Sequence, residues 1–104
     1  MTTFNKVIRD KIPEIIQKDG HTCNVQVISD EKFLLEIEKK LSEEVTEYQN
    51  NKTPEELVDI LEVIYKIAQL KGISKDELEK IRVKKLEDKG GFAKNLFLID
   101  TSQS

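Results

Sequence analysis

The chain has 104 residues, 38% of them apolar and 36% charged, and its 17 basic and 20 acidic side chains leave a formal net charge of −3. That composition is one domain's worth of chain (residues 1–104), too apolar for an acidic disordered tail and without the basic field that a nucleic-acid polymer or an anionic membrane attracts. No apolar run approaches the roughly 20 residues of a membrane span, no signal peptide is legible at the amino end, and a single cysteine excludes both an internal disulfide and a cysteine-based zinc cage.

From the amino end, NKVIRDK (residues 5–11) is mixed in charge. Pro13 suits the first turn of a short helix carrying Ile15 and Ile16, and Asp19-Gly20 stops it within two turns. In residues 22–29, Cys23, Val25 and Val27 alternate with Asn24 and Gln26, the period-2 pattern of a strand with one wet face. His21 ahead of it reads as a turn residue, and Cys23 as a small core residue with no basic partner to activate it. Asp30 suits the N-cap of a long helix reaching about Asn50. After a loop at 50–52, Thr53-Pro54-Glu55-Glu56 predicts a second long helix to Lys71, with Gly72 as its C-terminal glycine. Ser74-Lys75-Asp76-Glu77 is a capping box opening a last helix to about Asp88, ended by Gly90-Gly91. The run 96–99 (LFLI) predicts a closing strand paired with residues 23–28, followed by a frayed polar tail. The expected fold is therefore mostly α: a bundle of three to four helices with a small two-stranded β appendage.

Helical residues advance by about 100°, which sorts the carboxylates by direction. On the 30–50 helix, Ile37, Leu41, Val45 and Tyr48 fall within about 60° of Leu34 and define a core stripe. Glu44 lies about 80° from the centre of that stripe, beside Ile37, with Glu47 about 60° further out and Glu43 nearly opposite. On the 54–71 helix the apolar residues cover more than half the circumference, wider than a single buried face requires. Glu56 falls inside that arc between Val63 and Ile67, and Asp59 sits just outside it. A carboxylate aimed at an apolar surface is costly unless something compensates it. Two i,i+3 pairs on helices packed antiparallel can face each other and form a four-carboxylate pocket. With one histidine in the chain, any metal there is held by oxygen, which suits a hard divalent cation such as magnesium, with manganese as a substitute. The plain alternative is a solvated acidic face making weak i,i+4 pairs, the reading given to Glu36, Glu38, Glu55 and Glu62.

On the last helix, Arg82, Lys85 and Lys89 fall within about 80° of the thin apolar face formed by Leu78 and Ile81. Inward bases beside a metal pocket suit a polyphosphate. Snorkelling stems and cations at a helix C-terminus would place them there for ordinary reasons. Lys6, Arg9 and Lys11 at the amino end read either as phosphate contacts or as surface charge.

EEVTE (43–47) followed by ELVD (56–59) resembles the EExxE…ExxD signature of the all-α nucleoside triphosphate pyrophosphohydrolases, the MazG-like superfamily. NKVIRDKIPEII (5–16), ELVDILEVI (56–64) and KKLEDKGGF (84–92) look like its phosphoribosyl-ATP pyrophosphohydrolase-like branch. The resemblance runs from Asn5 to about Ile99. It implies helical bundles that form homodimers or tetramers, magnesium held by four acids from two helices, and cleavage of nucleoside triphosphates between the α and β phosphates. Carried onto this chain, the metal ligands are Glu44, Glu47, Glu56 and Asp59. Glu43 matches the first acid of the motif and would serve a second metal or the attacking water, with Glu44 or Glu47 as base. The phosphate contacts would come from Lys6, Arg9, Lys11, Arg82, Lys85 and Lys89. Lys89 stands where this branch usually has arginine, which keeps the charge and loses the bidentate geometry. The expected protein is a cytoplasmic pyrophosphohydrolase that takes a nucleoside triphosphate or related nucleotide. Its substrate is open between phosphoribosyl-ATP, a non-canonical nucleotide and a deoxynucleotide. Part of the wide apolar arc would be a subunit interface. The competing expectation is a non-enzymatic helical oligomerisation or regulatory module with a structural metal site. Nucleic-acid binding is disfavoured by the net charge and by six aromatics without a tryptophan.

Overall fold

A computed structural model describes residues 2–103. Four helices follow one another: α1 (Ile12–Lys18), α2 (Asp30–Asn51), α3 (Pro54–Leu70) and α4 (Lys75–Lys89). The local chemistry of their ends explains the boundaries. Ser29, not Asp30, caps α2: its backbone is extended and its hydroxyl accepts the Lys32 N–H at 3.2 Å. Asp30 instead sits in the first turn, where its charge complements the helix dipole. Ser74 caps α4 in the same way, accepting the Glu77 N–H at 3.1 Å. Thr53 and Pro54 open α3 with no side-chain cap bond. Gly72, at φ +80°, closes α3 in a Schellman motif, with Ile73 N–H donating to the Ala68 carbonyl (2.8 Å) and Gly72 N–H to that of Gln69 (3.0 Å).

α2 runs on through Asn51, and Lys52 makes the turn at φ +60°. That conformation costs a side chain what glycine gives freely. The turn is so short that α2 and α3 fold back on each other as an antiparallel hairpin. Contacts at both ends fix the register. Asn51 reaches Glu56 beside the turn, and the Lys66 ammonium lies over the Phe33 ring, 5.5 Å from its centroid, at the far end. Ile37, Val63 and Ala68 are the buried apolar residues, and Glu44 is buried with them. The stripe expected around Leu34 is thus rotated towards Ile37 and Glu44, leaving Val45 more than a third exposed. α4 packs only against α3, and neither α1 nor α4 buries a residue fully.

The β appendage does not form: no strand is present among the described residues, and both 22–29 and 96–99 are irregular. Val27 is fully exposed, and Leu96, Phe97, Leu98 and Ile99 are nearly so. An isolated two-stranded ribbon is marginal without a surface to pack on, and α2 and α3 turn their shared face to each other instead. Among the described residues, no helix is long and apolar enough to cross a membrane.

The hairpin leaves much apolar surface open. Leu57, Leu61 and Ile64 line one exposed side of α3, and Ile81 and Leu86 are exposed on α4. The chain exposes 9737 Å², where a compact monomer of its mass exposes about 6,000 Å². Its radius of gyration is 18.7 Å, against about 13 Å for a compact domain of this length.

Candidate metal centre

Glu44, on the central turns of α2, points into the seam with α3. There it meets Glu56 and Asp59, which sit one turn apart near the start of α3. One carboxylate oxygen from each of the three lies within 4.8 Å of the others. The i,i+3 spacing of Glu56 and Asp59 puts both on the α3 face that carries Val63, which is why an acidic cluster borders an apolar core.

The protein's own groups partner one oxygen of each carboxylate. The Lys40 ammonium meets Glu44 Oε1 at 3.1 Å, in a pair whose side chains are 20% and 8% exposed. Asn51 Nδ2 donates to Glu56 Oε1 at 3.0 Å. Arg9 Nη2, from the amino-terminal segment, donates to Asp59 Oδ1 at 2.6 Å. Glu44 Oε2 and Glu56 Oε2 are both sealed from solvent and have no hydrogen-bond partner. Buried carboxylate oxygens without partners are strongly disfavoured. Three clustered carboxylates, two of them with an unsatisfied oxygen, fit a hard divalent cation, which prefers carboxylate ligands and needs no nitrogen or sulfur.

Glu47, the fourth acid expected here, is not among these three and stands beside them. It is exposed, yet within hydrogen-bonding reach of both Glu44 and Glu56. The negative charge of Glu44 holds the Glu47 carboxyl above the usual glutamate range, reinforced by the closeness of the two side chains, partial desolvation and the charge of Glu56.

The remaining sequence-derived candidates lie elsewhere. Glu43 is exposed on the outer side of α2. Lys6 sits over the ring of Phe4 at 5.3 Å, and Lys11 is the exposed N-cap residue of α1. Arg82 is engaged by Glu79 on its own helix, with Nε 3.0 Å from both carboxylate oxygens. The bond from Arg82 lowers the Glu79 pKa, and Glu79 in turn raises that of Arg82. Lys85 and Lys89 are exposed, and among the described residues no ion pair joins them to the cluster. Within one chain, then, α4 does not deliver its bases to the acids. Sequence reasoning missed Lys40 and Asn51. The i,i+4 spacing of Lys40 and Glu44 was a legible signal, whereas nothing local marks Asn51.

No protein-family model matches the chain, and no solved structure matches it. Over 42 residues it is 38% identical to an uncharacterized protein of Mycolicibacterium smegmatis, a stretch covering 40% of this chain and 43% of that protein. The match therefore spans less than half of the relative's length.

The folded chain holds the Glu47 proton more tightly than the unfolded chain does. The cation-free fold consequently gains stability below the ordinary glutamate pKa and loses it as pH rises through the raised value. Thermal unfolding in chelator between about pH 4 and pH 7 checks this. Glu47→Gln should flatten that fall and melt a few degrees higher than the parent at neutral pH. An unchanged pH slope in the variant would mean that Glu47 does not feel the cluster.

Proposed function

We propose that the chain is a magnesium-dependent nucleoside triphosphate pyrophosphohydrolase of the MazG-like all-α kind. The observation that carries this reading is the pair of solvent-sealed, unpartnered oxygens on Glu44 and Glu56, held against Asp59 on the two helices that bear EEVTE and ELVD. Glu44, Glu47, Glu56 and Asp59 would hold the cation, for which manganese is a plausible chemical substitute. What magnesium supplies when bound is neutralisation of the charge that builds on the leaving pyrophosphate.

The protein's own work is proton transfer and positioning. Glu47 is the favoured base, because it is exposed to water beside the buried acids. It takes a proton from water as the water oxygen bonds to phosphorus and the P–O bond between the α and β phosphates breaks. The products are a nucleoside monophosphate and pyrophosphate. Glu43, on the outer side of α2, is left for a second cation or for the water. Lys6, Arg9 and Lys11 from the amino end and Arg82, Lys85 and Lys89 from α4 are the cations available for the phosphates, in a cytoplasmic setting.

Oligomerisation belongs to the same reading. The surface exceeds that of a compact monomer by about 3,700 Å², several times the roughly 800 Å² each partner contributes to a standard interface. A homodimer or tetramer covering Leu57, Leu61 and Ile64 would remove that excess and complete the bundle. Sedimentation velocity checks it: a dimer or tetramer at micromolar concentration is expected, and a monomer contradicts it.

One observation favours a second reading, a non-catalytic helical module with a structural cation: Arg82 is already neutralised by Glu79. Hydrolysis separates the two. The parent protein, given magnesium and a panel of ordinary, damaged and phosphoribosyl nucleotides, should release pyrophosphate from at least one. Glu56→Gln should abolish that release, by a factor of about 100 or more, with the helical circular dichroism intact. Cation binding with no pyrophosphate from any nucleotide would favour the module, and undiminished turnover in Glu56→Gln would sink the site assignment.

A further inference from the structure

Two side-chain cations touch the acidic cluster, and they are held in different ways. Lys40 shares α2 with its partner Glu44, one turn away, and both side chains are largely buried. Arg9 comes from an irregular segment fifty positions away from Asp59 in sequence, and its pair is half exposed, with side chains 51% and 39% accessible. Among the described residues, that contact is the single side-chain hydrogen bond or ion pair tying residues 2–11 to the hairpin. Val7 and Ile8 beside it are only partly buried. A half-exposed pair of this kind is weak and readily exchanged.

The cluster is also incomplete where Arg9 meets it. Glu44 Oε2, on a side chain more than nine-tenths buried, lacks a partner, as does Glu56 Oε2. Arg9 reaches neither of them; it lies on Asp59. A divalent ion bridging Glu44, Glu56 and Asp59 would draw on the carboxylate that the guanidinium occupies. Two unscreened positive groups on one carboxylate repel each other.

We propose that Arg9 is an exchangeable counter-ion of the cluster: it rests on Asp59 until a divalent cation takes that carboxylate, and its departure frees the amino-terminal segment from α3. This rests on the reading that the cluster takes a divalent cation. The consequence is an ordered sequence of events. Cation loading releases a guanidinium at the rim of the site, and its planar fork suits phosphate oxygens. Lys40, shorter in sequence reach and more deeply held, stays with Glu44.

Manganese alone, added to the full chain, tests this. The chain has two arginines, Arg9 and Arg82, so modification by phenylglyoxal followed by mass spectrometry reads both at once. Arg82, paired on its own helix with Glu79, is the internal reference. Manganese should raise the reactivity of Arg9 several-fold and leave that of Arg82 unchanged. Calorimetry should find manganese bound several-fold more tightly by Arg9→Gln than by the parent, with Arg9→Lys between them and the circular dichroism of all three alike. Asp59→Asn should lose the manganese response of Arg9. Binding of equal or lower affinity in Arg9→Gln, or an Arg9 reactivity that manganese leaves unchanged or lowers, overturns the exchange while leaving the cation site standing. No manganese binding by either protein overturns the cation site and the exchange together.

Discussion

Glu44 carries a carboxylate into the seam between α2 and α3, where water does not reach it and one of its two oxygens finds no partner. In a low-dielectric seam such a charge must be compensated or the helices must part. The neighbouring polar groups follow from that demand. Lys40 answers one oxygen from the preceding turn. Asn51 and Arg9 answer Glu56 and Asp59, the acids that face Glu44 from the other helix. What is left over is a concentration of negative charge that the chain's own cations do not neutralise, felt even by the exposed Glu47. Removing one member would relieve the fold and empty the site of its purpose, the usual tension between stability and function.

The surroundings of this seam are thin. Among the described residues three apolar side chains are buried, all on α2 or α3, and α1 and α4 bury none. A hairpin alone therefore positions the acids, while long apolar stretches of α3, α4 and the segment after α4 stay in water. Hydrophobic area of that extent is a driving force for association. The bases of α4 do not reach the acids of the same chain.

Much of this was readable before any coordinates. Helical periodicity placed Glu44 beside Ile37, and Glu56 between Val63 and Ile67, because direction on a helix depends only on spacing. Proline and serine marked three of the four helix starts, at Pro13, Pro54 and Ser74, and glycine marked the stops at Gly72 and Gly90, for equally local reasons. Most of the failures depend on something distant. Alternation at Cys23, Val25 and Val27 says which residues would share a face, but not whether a partner strand or a packing surface exists. The stripe on α2 was centred on Leu34 by counting apolar residues, whereas the helix it faces selected Ile37 and Glu44. The Arg9–Asp59 pair joins residues fifty positions apart and is encoded in no local pattern. The engagement of Arg82 by Glu79, which competes with any inward role, is an i,i+3 spacing that the sequence does carry.

The central claim, that the acids of α2 and α3 form a divalent-cation site, is tested most directly by diffraction from crystals grown with manganese and measured at its absorption edge. The account predicts an anomalous peak within coordination distance of Glu44, Glu56 and Asp59, about 2 Å from their oxygens. A peak elsewhere, or none at these carboxylates with manganese in millimolar excess, would contradict it.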